Sequence, residues 1–313
     1  MTLVIAGHNL EFSSSIWHEN DDIKEMHLNG LYVASDSAIT RPTVNGKKTM
    51  LGGFRKIYQI PIKVFKPYFV GSDFRGYFEV YHESSCFVGI AGNTLTAQHI
   101  LNSIFTHLSD LRISYENDEK NTQKIKYCIV RSCQKNNLIR TSGTTLWSED
   151  AFVDRDFESL VTAQFISDII EHSIQNAVNS AKQYKLDEND FKSLFTEFVA
   201  GIYCPVNKSH HLYTYRMDPY LNAEGCYDIS IIKEEVNKET VAVLGMRNEY
   251  EKQAIQIVKD CIDKKENPSN KIFEFLNNAI DREREKGNGE IDRPSVIKSF
   301  IDGQLNVIYH TSK

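Results

Sequence analysis

No apolar run in this 313-residue chain approaches the roughly 18–20 residues that cross a bilayer, which predicts no membrane-spanning helix. The start lacks a basic segment followed by a long apolar one, so no secretory leader is expected. No CxxC pair occurs among the six cysteines, Cys86, Cys128, Cys133, Cys204, Cys226 and Cys261. In a chain of this length, scattered cysteines read as the reduced thiols of a cytoplasmic protein and not as a disulfide framework. Positive charge is not in excess either: a net charge of −6 gives no electrostatic reason to expect nucleic-acid binding. The ten histidines form no HExxH and no paired Cys/His spacing, so neither metal nor cofactor is expected. His210-His211 are neighbours on an expected strand, which sends their side chains to opposite faces. Asn45-Gly46-Lys47-Lys48-Thr49 resembles the end of a phosphate loop, but Arg41 stands where the first glycine is required. The acidic group Glu19, Asp21, Asp22 and Glu25 reads as a solvated loop, and Ser142-Gly143-Thr144-Thr145 as a polar turn.

The bulk composition, 41% hydrophobic and 25% charged, is that of a soluble globular protein with a sizeable core. Short apolar runs bounded by turn residues predict strands at 3–6, 31–34, 56–60, 86–91 and 126–130, the third stopped by Pro61. Leu95, Ile100, Ile104 and Leu108 keep helical spacing behind a cap at Asn93 or Thr94. A long amphipathic helix is expected from Phe157 through Val161, Phe165, Ile169, Ile170 and Ile174 to Val178, with a short one at 191–195. Strands return at 198–203, 211–215 and 240–244. Two helices follow, one carrying Tyr250 to Cys261 and one Ile272 to Ile280, then strands at 296–300 and 305–309 around an Asp302-Gly303 turn. Hairpins and helices in blocks favour an α+β arrangement of separate layers in one domain, residues 1–313, over a doubly wound sheet.

The chemistry begins at Met1-Thr2. Threonine is small enough for an initiator methionine to be removed, which leaves an α-amine beside its own hydroxyl. An α-amine titrates near pH 8, so it accepts a proton close to neutrality, whereas the hydroxyl alone is a poor nucleophile. Ser35-Asp36-Ser37-Ala38-Ile39-Thr40 follows an apolar strand. Phe54-Arg55-Lys56-Ile57-Tyr58 sets a lysine at the head of another, and Ile90-Ala91-Gly92-Asn93-Thr94 is a strand-to-helix turn. Singly, each has a bland reading as a turn carboxylate, a solvated lysine or a turn glycine.

In this order they resemble the proteasome β-subunit family, including the bacterial proteasome-like Anbu proteins. The resemblance extends to Val199-Ala200-Gly201, Leu212-Tyr213, Val241-Ala242-Val243-Leu244-Gly245 and Asp292-Arg293-Pro294-Ser295. It implies a four-layer αββα N-terminal-nucleophile hydrolase sandwich, with insertions near 9–29, 62–85 and 142–190. It implies Thr2 as nucleophile, Asp36 as the acidic residue, Lys56 as the essential lysine and Gly92 as the oxyanion-binding N–H. Asp292 and Ser295 then fall beside the nucleophile's amine. By motif position, Ile39, Thr40, Phe54, Tyr58, Ile90, Thr94 and Gln98 line the substrate side, and no carboxylate stands among them. The implied reaction is hydrolysis of a peptide or protein amide bond, without a cofactor. The implied assembly is a homo-oligomeric ring or stacked array, open to an ATPase partner. Gly245-Met246-Arg247 departs from the family's Gly-Ser-Gly, whose serine helps hold the N-terminal amine and hydroxyl; methionine supplies no hydroxyl donor. That departure favours a rival reading, a noncatalytic proteasome-like scaffold or binding subunit. A small-molecule amidase on the same fold shares the chemistry.

Overall fold

The first strand is buried on both faces, and the architecture follows from that. The computed structural model describes residues 2–14, 24–43, 46–117, 125–140, 146–183, 188–222, 227–287 and 289–311. Met1, Glu19, Asp21, Asp22, Cys226 and the turn at 142–145 lie outside the described residues.

In chain order the elements are β1 (Leu3–Ser14), β2 (Lys24–Ser35), β3 (Ile39–Thr43), β4 (Gly46–Leu51), β5 (Ile57–Val70) and β6 (Asp73–Gly92). Then come α1 (Thr94–Ser109), β7 (Leu111–Asn117), β8 (Ile125–Arg131), α2 (Asn137–Arg140), α3 (Ala163–Ala181) and α4 (Glu188–Leu194). The second half holds β9 (Thr196–Cys204), β10 (Ser209–Leu221), β11 (Tyr227–Glu235), β12 (Ala242–Gly245), α5 (Arg247–Asp263), α6 (Ser269–Glu285), β13 (Ser295–Ile301) and β14 (Gln304–Thr311). A five-stranded sheet has the order β12-β1-β2-β13-β14 and a seven-stranded sheet the order β11-β10-β9-β6-β5-β7-β8; β3 and β4 form a separate hairpin. Every pairing is antiparallel except β5 with β7.

Side chains alternate across a strand, so a strand buried on both sides serves two cores at once. On β1, Leu3 and Ile5 pack with Ala254, Val258, Leu276 and Ile280 of α5 and α6. Val4 and Ala6 face the other way and meet Phe87, Ala91 and Val199 of the seven-stranded sheet. On β6, Cys86, Val88 and Ile90 point away from that contact into a third cluster with Ile100 and Ile104 of α1 and Ile170 of α3. The two sheets therefore share one apolar cluster, while α5 and α6 pack with β1 in a second and α1 and α3 with β6 in a third. Asn93 caps α1 by accepting from the N–H of Thr96 at 2.9 Å, which decides between the two capping candidates.

Several expectations are corrected. Pro61 does not stop β5, which runs on to Val70. On the edge away from β6, β7 reaches β5 only at Val64 and Phe65, so no ladder bond is demanded of the proline there. The long helix starts at Ala163, capped by Thr162; Phe157 and Val161 belong to the preceding turn and loop and are buried in the same core. Residues 62–85 form the outer part of the β5–β6 hairpin. Strands β3, β4, β7 and β11 were not anticipated. Cys86, Cys128, Cys133, Cys204 and Cys261 are free thiols. Among the described residues, no helix is long and apolar enough to cross a membrane.

Candidate active site

Ser35, the last residue of β2, pairs with Val4 of β1, so the next residue, Asp36, stands beside the head of β1. Its carboxylate is fully buried and held by three donors. It accepts the Leu3 N–H at 2.9 Å, the Ala38 N–H at 3.0 Å and Lys56 Nζ at 2.7 Å. Lys56 is 3% exposed, just ahead of β5, and its carbonyl accepts the Ile90 N–H at 2.9 Å. Burial pulls the Lys56 ammonium below the usual lysine range, and the charge of Asp36 opposes that fall. A buried pair of this kind is costly to break from one side, because the remaining charge is left without a partner.

Thr2 is held by its neighbours. Its carbonyl accepts the Met246 N–H at 3.0 Å, and the next amide along the chain is the one given to Asp36. Gly245, paired with Leu3, has φ +83°, and a Cβ there would lie 1.9 Å from the Thr2 carbonyl oxygen. Gly92, at the end of β6, has φ +110°, and a Cβ would lie 2.4 Å from the carbonyl oxygen of Phe195. Both positions accept only glycine without moving backbone.

Two cavities open on Thr2. The smaller, about 60 Å³, is walled by Thr2, Lys56 and Gly92 together with Ile39, Phe54 and Ile90, and Thr40 and Thr94 also line it. Tyr58 and Gln98, expected in that wall, are not part of it. Tyr58 turns its hydroxyl back to the carbonyl of Arg55 at 2.8 Å, and Gln98 lies along α1 toward Asn102. Ala97 takes the place on that helix face. The larger cavity, about 610 Å³, shares Thr2, Thr40 and Gly92 and adds Lys192, Glu197 and Met217.

The late motif is arranged differently from the early one. The Asp292 carboxylate is bonded to the Arg284 guanidinium and to the Arg293 N–H, while its backbone carbonyl accepts the Ser37 N–H at 3.2 Å. Ser295 Oγ donates to Asn277 at 2.8 Å and shares a contact of 2.5 Å with Thr311. Neither side chain is directed to the Thr2 amine. Met246 stands at the N-cap of α5 without capping it; its side chain is buried in the core with Leu3 and Tyr250. Glu197 was missed altogether. It is a lone acid at the start of β9, and its contact with Gly245, a backbone N–H at 2.7 Å, spans 48 residues.

No protein-family model matches the chain, and no curated protein does. Among solved structures it is similar to an Anbu (Gly-1) mutant from Hyphomicrobium sp. strain MC1, with a TM-score of 0.42 and 11% sequence identity, over 99% of this chain and 86% of that one. At this distance, the reading of the site rests on the geometry around Thr2.

Proposed function

We propose that the chain is an N-terminal-nucleophile amide hydrolase, of the four-layer αββα class, with Thr2 as nucleophile once Met1 has been removed. The observation that carries this reading is the meeting of Thr2, the buried Lys56–Asp36 pair and Gly92 at one small cavity. In the proposed reaction Thr2 Oγ attacks the scissile carbonyl carbon, and its proton passes to the α-amine of the same residue, directly or through a water. The carbonyl π electrons move onto oxygen, where the Gly92 N–H stabilises the oxyanion. Collapse breaks the C–N bond, and the ammonium returns its proton to the leaving amine. Water then cleaves the acyl ester by the same route in reverse.

Lys56 supplies the positive charge that favours a deprotonated hydroxyl, and Asp36 fixes and balances it. Asp292 and Ser295 take framework parts here: the first anchors the loop after Asp36 through its carbonyl, and the second ties β13 to α6 and β14. Peptide or protein substrates, a homo-oligomeric ring or stacked array, an ATPase partner and a cytoplasmic setting belong to the same proposal. The rival, a noncatalytic scaffold, is favoured by one observation, the buried Met246 where a hydroxyl is expected. Intact mass and an α′,β′-epoxyketone separate the two. Loss of Met1 and an adduct on Thr2, which consumes both its hydroxyl and its amine, support the enzyme. Retained Met1 with no adduct supports the scaffold.

A further inference from the structure

We infer that Glu197 is the counter-ion of the Thr2 α-amine, a positioning residue that stands in for the hydroxyl missing at Met246. The inference rests on the reading that this amine is free and acts as the base. Glu197 pairs with Ala91 across β9 and β6, and Ala91 faces the five-stranded sheet. Paired residues share a face, so the glutamate also points across the gap between the sheets. Its Oε2 accepts the Gly245 N–H at 2.7 Å, and Gly245 is the residue whose neighbourhood with Thr2 excludes any Cβ. Thr2 and Glu197 line the same cavity, and among its described lining residues Glu197 is the one carboxylate.

The charges around the amine come from every element packed there. Lys56 is neutralised by Asp36 at 2.7 Å. Arg247 of α5 is held by Glu251 at 2.8 Å, and Asp292 is bonded to Arg284. Lys192 of α4 is a second cation on the cavity wall. Arg216 of β10 sends Nη1 to Glu234 at 3.0 Å, while its Nε stays 3.8 Å from Glu197 Oε1 and makes no hydrogen bond. Glu197 Oε1 thus shares an ion pair with Arg216 but makes no hydrogen bond to it, which leaves room for a hydrogen bond from the amine.

When Thr2 Oγ attacks, its proton converts the amine into an ammonium. No bond to Glu197 forms or breaks; the carboxylate stabilises the cation while it exists. An adjacent anion favours the protonated amine, so removing it lowers the amine's pKa. Glu197→Gln keeps an acceptor for the Gly245 N–H and loses only the charge. The α-amine, tagged by mild ¹³C reductive methylation and titrated by NMR, is expected to fall by about one pH unit in Glu197→Gln relative to wild type. The acid limb of kcat/KM should move down with it, kcat at its plateau should fall about tenfold, and KM should hold. Glu197→Asp, with the charge retained but drawn back by one methylene, should lie between the two. Should Glu197→Gln fail to fold, Glu197→Asp carries the test: an amine titration identical to wild type overturns the inference. A free Thr2 amine whose titration ignores Glu197→Gln overturns this inference alone, and a chain that keeps Met1 overturns it together with the hydrolase reading.

Discussion

Thr2 divides two unlike spaces. On one side lies a cavity of about 60 Å³ walled by Ile39, Phe54 and Ile90, with Lys56 beside them; on the other lies one of about 610 Å³ that holds Lys192 and Glu197. A pocket that small accepts one side chain of modest size; Ile39, Phe54 and Ile90 give it an apolar wall, and the charge of Lys56 beside them is already balanced by Asp36. The larger space has room for a leaving chain of many kinds. On the proposed reading, selectivity should reside before the scissile bond and tolerance after it, with Thr2 as the boundary.

The change with the largest expected effect removes the boundary itself. Thr2→Ala should abolish turnover and epoxyketone labelling while leaving the melting temperature near that of wild type, and equal labelling of both proteins would sink the assignment. Next, Lys56→Ala should lower turnover by two to three orders of magnitude. Because it strands the buried Asp36 carboxylate, it should also cost about 3–5 kcal/mol of stability, read by chemical denaturation. The double change Asp36→Asn with Lys56→Met should recover stability without activity; wild-type turnover in Lys56→Ala would dismiss the role.

Gly92→Ala should slow acylation on substrates of every kind and destabilise by roughly 1–3 kcal/mol, since the φ of +110° and the Phe195 carbonyl both resist a side chain. Phe54→Ala then tests the small side alone. In a fluorogenic peptide panel, preference should shift by about tenfold toward larger apolar residues before the scissile bond, with leaving-group preference unchanged. A panel cleaved fastest after Arg or Glu would refute the pocket. The smallest expected effect is on pH. Because burial lowers the Lys56 pKa, its cation is lost at a lower pH than an ordinary lysine's 10.5, and the alkaline limb of activity should fall correspondingly early.

The small side was legible in the sequence because its residues sit where chemistry and backbone constraint coincide. Asp36 ends an apolar strand, Lys56 opens one, and Gly92 occupies a turn that tolerates no side chain. Each leaves a local mark within a few residues. The large side leaves none, since Glu197 acquires meaning only through a strand 48 residues away. The same difference governs the elements. Strand β7 alternates Leu111, Ile113 and Tyr115 inward, but it is short and interrupted by Arg112 and Ser114. Strand β11 buries Ile229 and is otherwise polar and charged along much of its length, as befits the outer edge of the large sheet. Phe157 and Val161 mimicked a helical period because two loop residues four apart fill the core that α3 also fills; the Thr162 cap was the better marker of where the helix begins.

The two long hairpins carry a consequence for descent. β1 and β2 are pinned close to Thr2 by the pairing of Val4 with Ser35, and β5 and β6 by that of Ile57 with Gly89. From there each pair runs outward, toward Ser14 and Lys24 in one and toward Val70 and Asp73 in the other. Insertions and deletions at the far ends alter the outline of the molecule without moving its chemistry. A residue gained or lost between Thr2 and Val4 would instead leave the buried faces of β1 in register and carry Thr2 away from Lys56 and Gly92. Lineages sharing this architecture should therefore drift freely in length at the hairpin tips and hold constant the spacing of Thr2 from Val4 and the direct succession of Ser35 and Asp36.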